Sequence, residues 1–438
     1  MDERLENLLA RTRKRRTVVG VLGLGYVGLP LSLAFQRAGF RVLGYDIDAQ
    51  KVEALGRSES YIRHLDKRDL GAALASGRFS ATADPTRLSE PDALLICVPT
   101  PLGPDRRPDL SAVESTACSI RDALRRDQLV VLESTTYPGT TAELLLPILE
   151  DSGLRCGEEF FLAYSPERED PGNPDYGTAA IPKVVGGVGE GSAELARCLY
   201  DQVVVSTVAV ADTQTAEATK LTENIFRAVN IALVNELKMV YDRMGIDIWE
   251  VLDAAATKPF GFMRFDPGPG WGGHCIPIDP FYLSWKARQY GPAPRFVELA
   301  AEINLEMAAH VVRKLAAALE RHGQSLRGAR ILVLGLAYKA NVADPRESPA
   351  FEVIDRLLGA GAEVSYHDPL IPTAPRMRTW AELPELRSEP LTAELLAAQS
   401  AVLLITDHSQ VDYDLILEHA PLVVDTRGVL RGDKVVRA

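Results

Sequence analysis

Disulfide chemistry has little to work with in this chain. Five cysteines, at 97, 118, 156, 198 and 275, are spread over 438 residues with no CxxC pair. None of the seven histidines stands at metal-ligand spacing from them. So sparse and odd a set excludes a disulfide framework, leaves at least one thiol free, and speaks against a bound metal. Long apolar runs are also missing. The longest, residues 93–98 and 401–405, are strand-sized and far short of the roughly 20 residues that span a bilayer. Positive charge is in deficit, since 48 Lys and Arg against 60 Asp and Glu leave a net charge of −12. With no basic stripe to offset it, nucleic acid is excluded as a partner. Residues 1–16 are charged without an apolar core, so they do not read as a secretory signal, and the cytoplasm is the expected compartment. The basic run 11–16 reads as a solvated leader before the first strand.

What remains is an ordinary globular composition, with 46% hydrophobic and 25% charged residues. A chain of this length exceeds what one core usually serves, so two or three domains are expected. Residues 17–23 form a β-branched run ending in glycine, followed by a helical pattern to Ala38 and a second strand at 41–45. Strand-like segments at 93–98, 129–132 and 184–186 alternate with helical ones, which predicts a parallel sheet with right-handed crossovers. From Asp212, an N-cap, to Met244 there is no internal Gly or Pro, and Leu221, Ile225, Ala228, Ala232, Leu233, Leu237 and Val240 keep helical spacing. Gly245 supplies the stop. So long a helix makes a spine between domains or across a dimer.

The opening pattern then returns. Ile331-Leu-Val-Leu-Gly-Leu-Ala-Tyr338 echoes Val19-Gly-Val-Leu-Gly-Leu-Gly-Tyr26, and Ala360-Gly-Ala-Glu-Val-Ser-Tyr-His-Asp368 echoes Ala38-Gly-Phe-Arg-Val-Leu-Gly-Tyr-Asp46. The expected architecture is α/β: two Rossmann-like doubly wound parallel-sheet domains, 1–210 and 323–438, joined by a long central helix and a helical domain, 211–322. Residues 321–328, polar with two glycines, form the expected linker.

Gly23-Leu-Gly25-Tyr26-Val27-Gly28 is a GxGxxG between a strand and a helix, with Asp46 eighteen residues past Gly28 at the end of the next strand. Glycines permit the tight turn and the close approach of a pyrophosphate to the helix N-terminus, and an acid at Asp46 accepts from both ribose hydroxyls, favouring NAD. Lys51 faces either the adenosine ribose or solvent, and Thr100 follows the strand beside this turn. The second half replaces the middle glycine with Ala337, so it should bind no second dinucleotide. It carries Lys339 and Arg346 instead, cations suited to a nucleotide diphosphate or to a plain solvated loop.

Pro269-Gly-Trp-Gly272-Gly273-His274-Cys275-Ile-Pro-Ile-Asp279 is the most unusual segment, with three glycines and one thiol in eleven residues. A partly exposed cysteine there can be a nucleophile if nearby groups favour the thiolate; taken alone, Cys275 reads first as an inert buried thiol. Asp279 serves as a base or fixes the loop, and His274 reads as structural or as a substrate contact. Lys220 and Asn224, at i and i+4, present an ammonium and an amide on one helix face, an oxyanion site or a solvated pair. Glu133-Ser-Thr135 and Tyr164-Ser-Pro-Glu167-Arg168 follow strands, so both line the carboxyl edge of the first sheet, where Glu167 is a candidate base.

These motifs in this order resemble the UDP-glucose and GDP-mannose dehydrogenase family of four-electron nucleotide-sugar 6-dehydrogenases, over nearly the whole chain. The resemblance implies Cys275 as nucleophile, Lys220 and Asn224 as oxyanion stabilisers, Asp279 in the hydrolytic step and Glu167 as acid or base. It implies Thr135 near the nicotinamide, Lys339 at the substrate diphosphate, Arg346 near the domain junction on the cofactor side, and Arg168, Gly272, Gly273 and His274 at the substrate. It further implies NAD as cofactor, while the long apolar helix points to a homodimer or higher homo-oligomer. His274 and Ile278 stand where the glucose enzymes show a serine and a lysine, and GPGWGGHCIPIDPFYL is closer to bacterial UDP-N-acetylglucosamine 6-dehydrogenases of polysaccharide assembly. The leading expectation is therefore oxidation of UDP-N-acetyl-D-glucosamine to its 6-uronate. UDP-glucose, UDP-N-acetylmannosamine and UDP-N-acetylgalactosamine are the close alternatives. A two-electron β-hydroxyacid dehydrogenase and a catalytically inert sugar-nucleotide sensor are the distant ones.

Overall fold

A computed structural model describes residues 3–62, 65, 67–103, 105–168, 180–273, 276–291, 293–377 and 379–438. The chain forms two compact units, Met1–Glu223 with Phe281–Gly291, and Asn224–Pro280 with Pro292–Ala438.

The first unit is built on a sheet of β1 (Val18–Leu22), β2 (Arg41–Tyr45), β3 (Phe79–Thr82), β4 (Ala93–Ile96), β5 (Leu129–Leu132), β6 (Phe161–Tyr164), β7 (Lys183–Gly187) and β8 (Thr207–Ala209), in the order β3-β2-β1-β4-β5-β6-β7-β8. β1, β4, β5 and β6 are continuous apolar runs because helices cover both faces of a parallel sheet. Among these strands only β6 and β7 pair antiparallel, Ala163 opposite Gly187, one strand in from the edge, a reversal that periodicity does not announce. The order reverses between β1 and β4, so the crevice above their carboxyl ends is where a ligand is expected.

The basic run 11–16 is exposed apart from Thr12, as expected, but the residues leading into it are packed. Glu3–Arg13 is a helix whose Leu5, Leu8 and Leu9 enter the main core beside the helix Glu190–Tyr200. Its leucines recur at i, i+3 and i+4, and each buried side chain is worth about 1.5–3 kcal/mol. Arg11 is tied at 2.9 Å to Asp92.

In the second unit β9 (Arg330–Leu334), β10 (Glu363–His367), β11 (Ala401–Leu404), β12 (Val423–Asp425) and β13 (Val435–Arg437) form a parallel sheet ordered β10-β9-β11-β12-β13. The duplicated sequence is a duplicated register: Val19 pairs with Val42, and Ile331 with Val364. The helix Thr213–Met244 runs 32 residues, about 48 Å at 1.5 Å per residue. Asp212 Oδ1 accepts from Thr215 N at 2.7 Å to start it, and Gly245 at φ 73° ends it. Asn235 and Asn304 cross-link it to the helix Arg295–Arg321 at 2.8 Å, and Asn235 Oδ1 also accepts from Gly268 N at 3.0 Å. Among the described residues no helix is long and apolar enough to cross a membrane.

Candidate active site

Three glycines shape the turn after β1, each for a different reason. Gly23 has φ 91°, and a Cβ there would lie 2.6 Å from the Cys97 carbonyl oxygen. A Cβ at Gly28 would lie 1.9 Å from the Gly23 oxygen, so the helix Gly28–Arg37 can start against the strand only without a side chain. At Gly25 a Cβ would meet nothing within 4 Å. That glycine therefore serves no packing purpose and leaves the backbone open. Tyr26 is exposed and Val27 half-buried at the helix start.

Asp46 is 5% exposed just past β2, where its Oδ2 accepts from Leu24 N at 2.9 Å and its Oδ1 from Asp48 N at 3.0 Å. Lys51 Nζ lies 3.2 Å from Oδ2 and 3.5 Å from Oδ1, so each oxygen is shared between a backbone amide and this lysine, a 36% exposed partner that ribose hydroxyls would displace. Open backbone at a helix N-terminus, with an acid at the adjacent strand end, fits the pyrophosphate and ribose of NAD. On the other side of β1, Thr100 is buried and its carbonyl oxygen accepts from the Tyr282 hydroxyl at 3.0 Å.

The loops after β5 and β6 meet in a buried polar cluster. Lys183 Nζ lies 2.6 Å from Glu133 Oε2 and 3.6 Å from Glu167 Oε2, and donates to the Pro166 oxygen at 3.3 Å. The Tyr200 hydroxyl donates to the other Glu133 oxygen. Two carboxylates hold Lys183 charged, raising its pKa against the opposing effect of burial. Thr135 is half-buried two residues past Glu133. Lys220, 8% exposed on the long helix, donates to the Glu167 carbonyl oxygen at 2.5 Å. Arg168 turns to Glu223, at 2.5 Å, and to the Pro182 oxygen, at 2.7 Å. In the sequence Lys183 reads as the polar start of an apolar strand, and Glu133 as one loop acid among many.

In the second unit the Asn224 side-chain amide donates to Asp279 Oδ2; the two residues are 5% and 1% exposed. Gly272 and Gly273 lie against Tyr338, where a Cβ on either would stand 3.0 Å from its side chain, and Gly273 has φ 86°. The glycine loop is thus packed on the turn after β9. Lys339 follows in that turn half-buried, and Arg346 is held by Asp344 at 2.6 Å. Asp368 holds the place of Asp46 but is saturated. It accepts from Leu336 N, Ala337 N, Leu370 N and Ile371 N at 2.7 to 3.0 Å, and lies 3.2 Å from His408 Nε2. His274 and Cys275, and the sequence segment past Arg168 up to Gly172, lie outside the described residues.

Comparison with known proteins agrees along the chain. Residues 17–204 match the NAD binding domain of the UDP-glucose/GDP-mannose dehydrogenase family, 214–306 its central domain and 332–432 its UDP binding domain. UDP-N-acetyl-D-glucosamine 6-dehydrogenase of Pseudomonas aeruginosa is 36% identical over 90% of both chains. The structure of a UDP-D-ManNAc dehydrogenase from Pyrococcus horikoshii superposes with a TM-score of 0.85 at 32% identity, covering 94% of this chain and 96% of the other. An NDP-N-acetyl-D-galactosaminuronic acid dehydrogenase from Methanosarcina mazei superposes with a TM-score of 0.81 at 31% identity, covering 99% and 96%. The chain belongs to the UDP-glucose/GDP-mannose dehydrogenase family and is an NAD-dependent oxidoreductase of nucleotide sugars.

Proposed function

We propose that the chain oxidises the C6 alcohol of UDP-N-acetyl-D-glucosamine, or of a near epimer, to the 6-uronate through a thioester on Cys275, for surface polysaccharide synthesis in the cytoplasm. The observation that carries this reading is the hydrogen bond from Asn224 to Asp279. It ties the segment four residues past Cys275 to the helix that, one turn earlier, carries Lys220. The relatives named above share an N-acetylated sugar, which favours such a substrate over UDP-glucose.

NAD, when bound, accepts the hydride that leaves C6 at each of two oxidations. The first gives an aldehyde, with the alcohol proton passing to a base, for which Glu167 is the candidate. The Cys275 thiolate adds to the aldehyde carbon, and Lys220 and Asn224 meet the oxyanion; such a donor is typically worth about 10²–10³ in rate. Loss of the second hydride leaves the thioester. Asp279 orients and deprotonates the attacking water, the C–S bond breaks, and the carboxylate leaves with the thiol restored. Thr135 lines the nicotinamide side. Gly272, Gly273, His274 and Arg168 border the sugar, Lys339 meets the diphosphate, and Arg346 is counted with the cofactor residues. Labour divides among 1–210 for NAD, 211–322 for the helical core and 323–438 for UDP.

Phe226, Leu233 and Val240 recur every seven residues on the long helix and are 50%, 49% and 46% exposed. An apolar heptad stripe left on the surface suits a second copy of the same helix, so the enzyme is read as a homodimer. A substrate panel of the three N-acetylated UDP-sugars and UDP-glucose, with NADH counted per sugar, tests the chemistry. Two NADH per molecule of one N-acetylated substrate is expected; one, or none across the panel, rejects it. Mass spectrometry of Cys275→Ser incubated with that substrate and NAD should show the trapped acyl-enzyme.

A further inference from the structure

Glu217 has no part in the chemistry above, yet it is a carboxylate with no solvent exposure, one turn before Lys220 on the long helix. Its Oε2 accepts from Gly139 N at 2.5 Å, and its Oε1 from Thr141 N at 2.8 Å and Thr141 Oγ1 at 2.7 Å. These donors open the helical segment Thr140–Leu145, so Glu217 caps the N-terminus of a helix other than its own. Gly139, at the N-cap, has no side chain to do this and cannot gain one. Its φ is 105°, and a Cβ would stand within 2.4 Å of Glu143 Oε1.

The capped end is the far end of the loop that leaves β5. The near end is fixed as well, with Glu133 held by Lys183, and Ser134 Oγ donating to the Val98 oxygen at 2.7 Å. Thr135 lies between the two anchors. A surface cap needs no buried acid, whereas this one crosses 78 residues of sequence to reach a helix that carries a site residue.

We propose that Glu217 is a positioning residue of the oxidation, locking the loop that carries Thr135 to the helix turn that carries Lys220 so that the two keep one spacing. This rests on the reading of Thr135 and Lys220 as site residues. Loss of the lock lets the loop drift against the helix, and a displacement of about 1 Å between reacting groups can cost about 10²-fold in rate. Glutamine has one acceptor atom and turns an amide toward groups that themselves donate.

Protonation acts in the same direction, because the acid proton would face one of the three donors. Burial pushes the Glu217 carboxyl up to about 7, with the charge of Glu143 adding to the rise and the three donors opposing it. The charged groups near the cap are Glu143 on the capped segment, Lys286 paired with it at 2.5 Å, and Lys220 one turn further along the helix. The lock is therefore whole above about pH 7 and weakens below it.

Steady-state kinetics of the full-length Glu217→Gln enzyme from pH 6 to 9, beside its thermal melting curve, test this. Expected are a melting temperature within a few degrees of wild type and kcat lower by about 10- to 100-fold. The KM for the UDP-sugar should stay within about threefold, and the fall of kcat below pH 7 should vanish. Wild-type kcat with an unchanged acid limb overturns the proposal, as does a loss confined to stability. Should Glu217→Gln fail to fold, Thr141→Val removes one of the three bonds. A fall of kcat by about threefold or more at constant KM is then expected, and unchanged kcat overturns the lock. Thr135→Ala and Lys220→Ala separate the two readings. If they keep full turnover, the site reading falls and the lock with it; if they lose turnover while Glu217→Gln does not, the lock alone falls.

Discussion

Lys183 and Glu133 meet at 2.6 Å with 5% and 0% of their side chains exposed, joining β7 to the loop that follows β5. Such a pair is not in itself a large stabiliser, because burying two charges offsets most of their attraction. Removing one partner is another matter, since it leaves a buried charge, and Lys183 also serves Glu167 and the Pro166 carbonyl. Lys183→Met should cost about 3–5 kcal/mol, read as a lower melting temperature. The double variant Lys183→Met, Glu133→Met should recover most of that stability but little turnover. Additive losses in the double variant would show that the two residues are not energetically coupled.

Lys238 has the opposite problem. It is 2% exposed, its Nζ lies 4.7 Å from the Trp249 ring centroid, and among the described residues it forms no ion pair. Burial pulls its pKa down from 10.5 to about 8. Below about pH 8 both folded and unfolded chains carry the proton, and the fold bears the whole cost. Between about 8 and 10.5 the unfolded chain binds more protons, so stability from this group rises with pH. Lys238→Met should then stabilise the protein by about 1–3 kcal/mol at pH 7, after allowing for the lost contact with the indole. That gain should fade toward pH 10.5. Melting curves at pH 7 and pH 10 check it, and an equal gain at both would mean that charge is not the cause.

The strand, glycine turn and helix that open the NAD binding domain are legible in the sequence because the strand, the glycines and Asp46 stand at short, fixed offsets. The helix Thr213–Met244 is legible because a long stretch without Gly or Pro leaves little else to form. Glu217 is not, since Thr-Ala-Glu-Ala-Thr on a helix reads as a solvated turn until the fold brings it to Gly139. Lys183 likewise finds Glu133 only through the pairing of β5, β6 and β7. The antiparallel pairing of β6 and β7 escapes because burial patterns are blind to strand direction. Three leucines in Glu3–Arg13 escape because the five charged residues among them mask the apolar stripe.

The stripe of Phe226, Leu233 and Val240 gives a test of assembly that leaves the site untouched. Leu233 is half exposed, so Leu233→Glu costs the isolated chain little, while in a paired helix seam it buries a charge. The wild-type enzyme should sediment at twice its chain mass of 47.8 kDa and the variant at that mass, with dimer affinity weaker by about 100-fold or more. A variant that sediments as the wild type does would place the subunit contact elsewhere.

Gly25 and Gly28 separate what the cofactor turn needs for folding from what it needs for binding. A methyl group at Gly28 has nowhere to go, being 1.9 Å from a backbone oxygen, so Gly28→Ala must push the helix off the strand. It should cost about 1–3 kcal/mol or more, with NAD binding lost alongside. A methyl group at Gly25 meets nothing within 4 Å and should leave the melting temperature within about 1 °C of wild type. It would nevertheless stand where a pyrophosphate has to approach the backbone. Gly25→Ala should therefore weaken NAD at least about tenfold by calorimetric titration, while the affinity for UDP, bound by the other sheet, stays unchanged. Wild-type NAD affinity in Gly25→Ala would mean that the diphosphate does not pass over this peptide, and Asp46 would lose its assignment to the ribose with it.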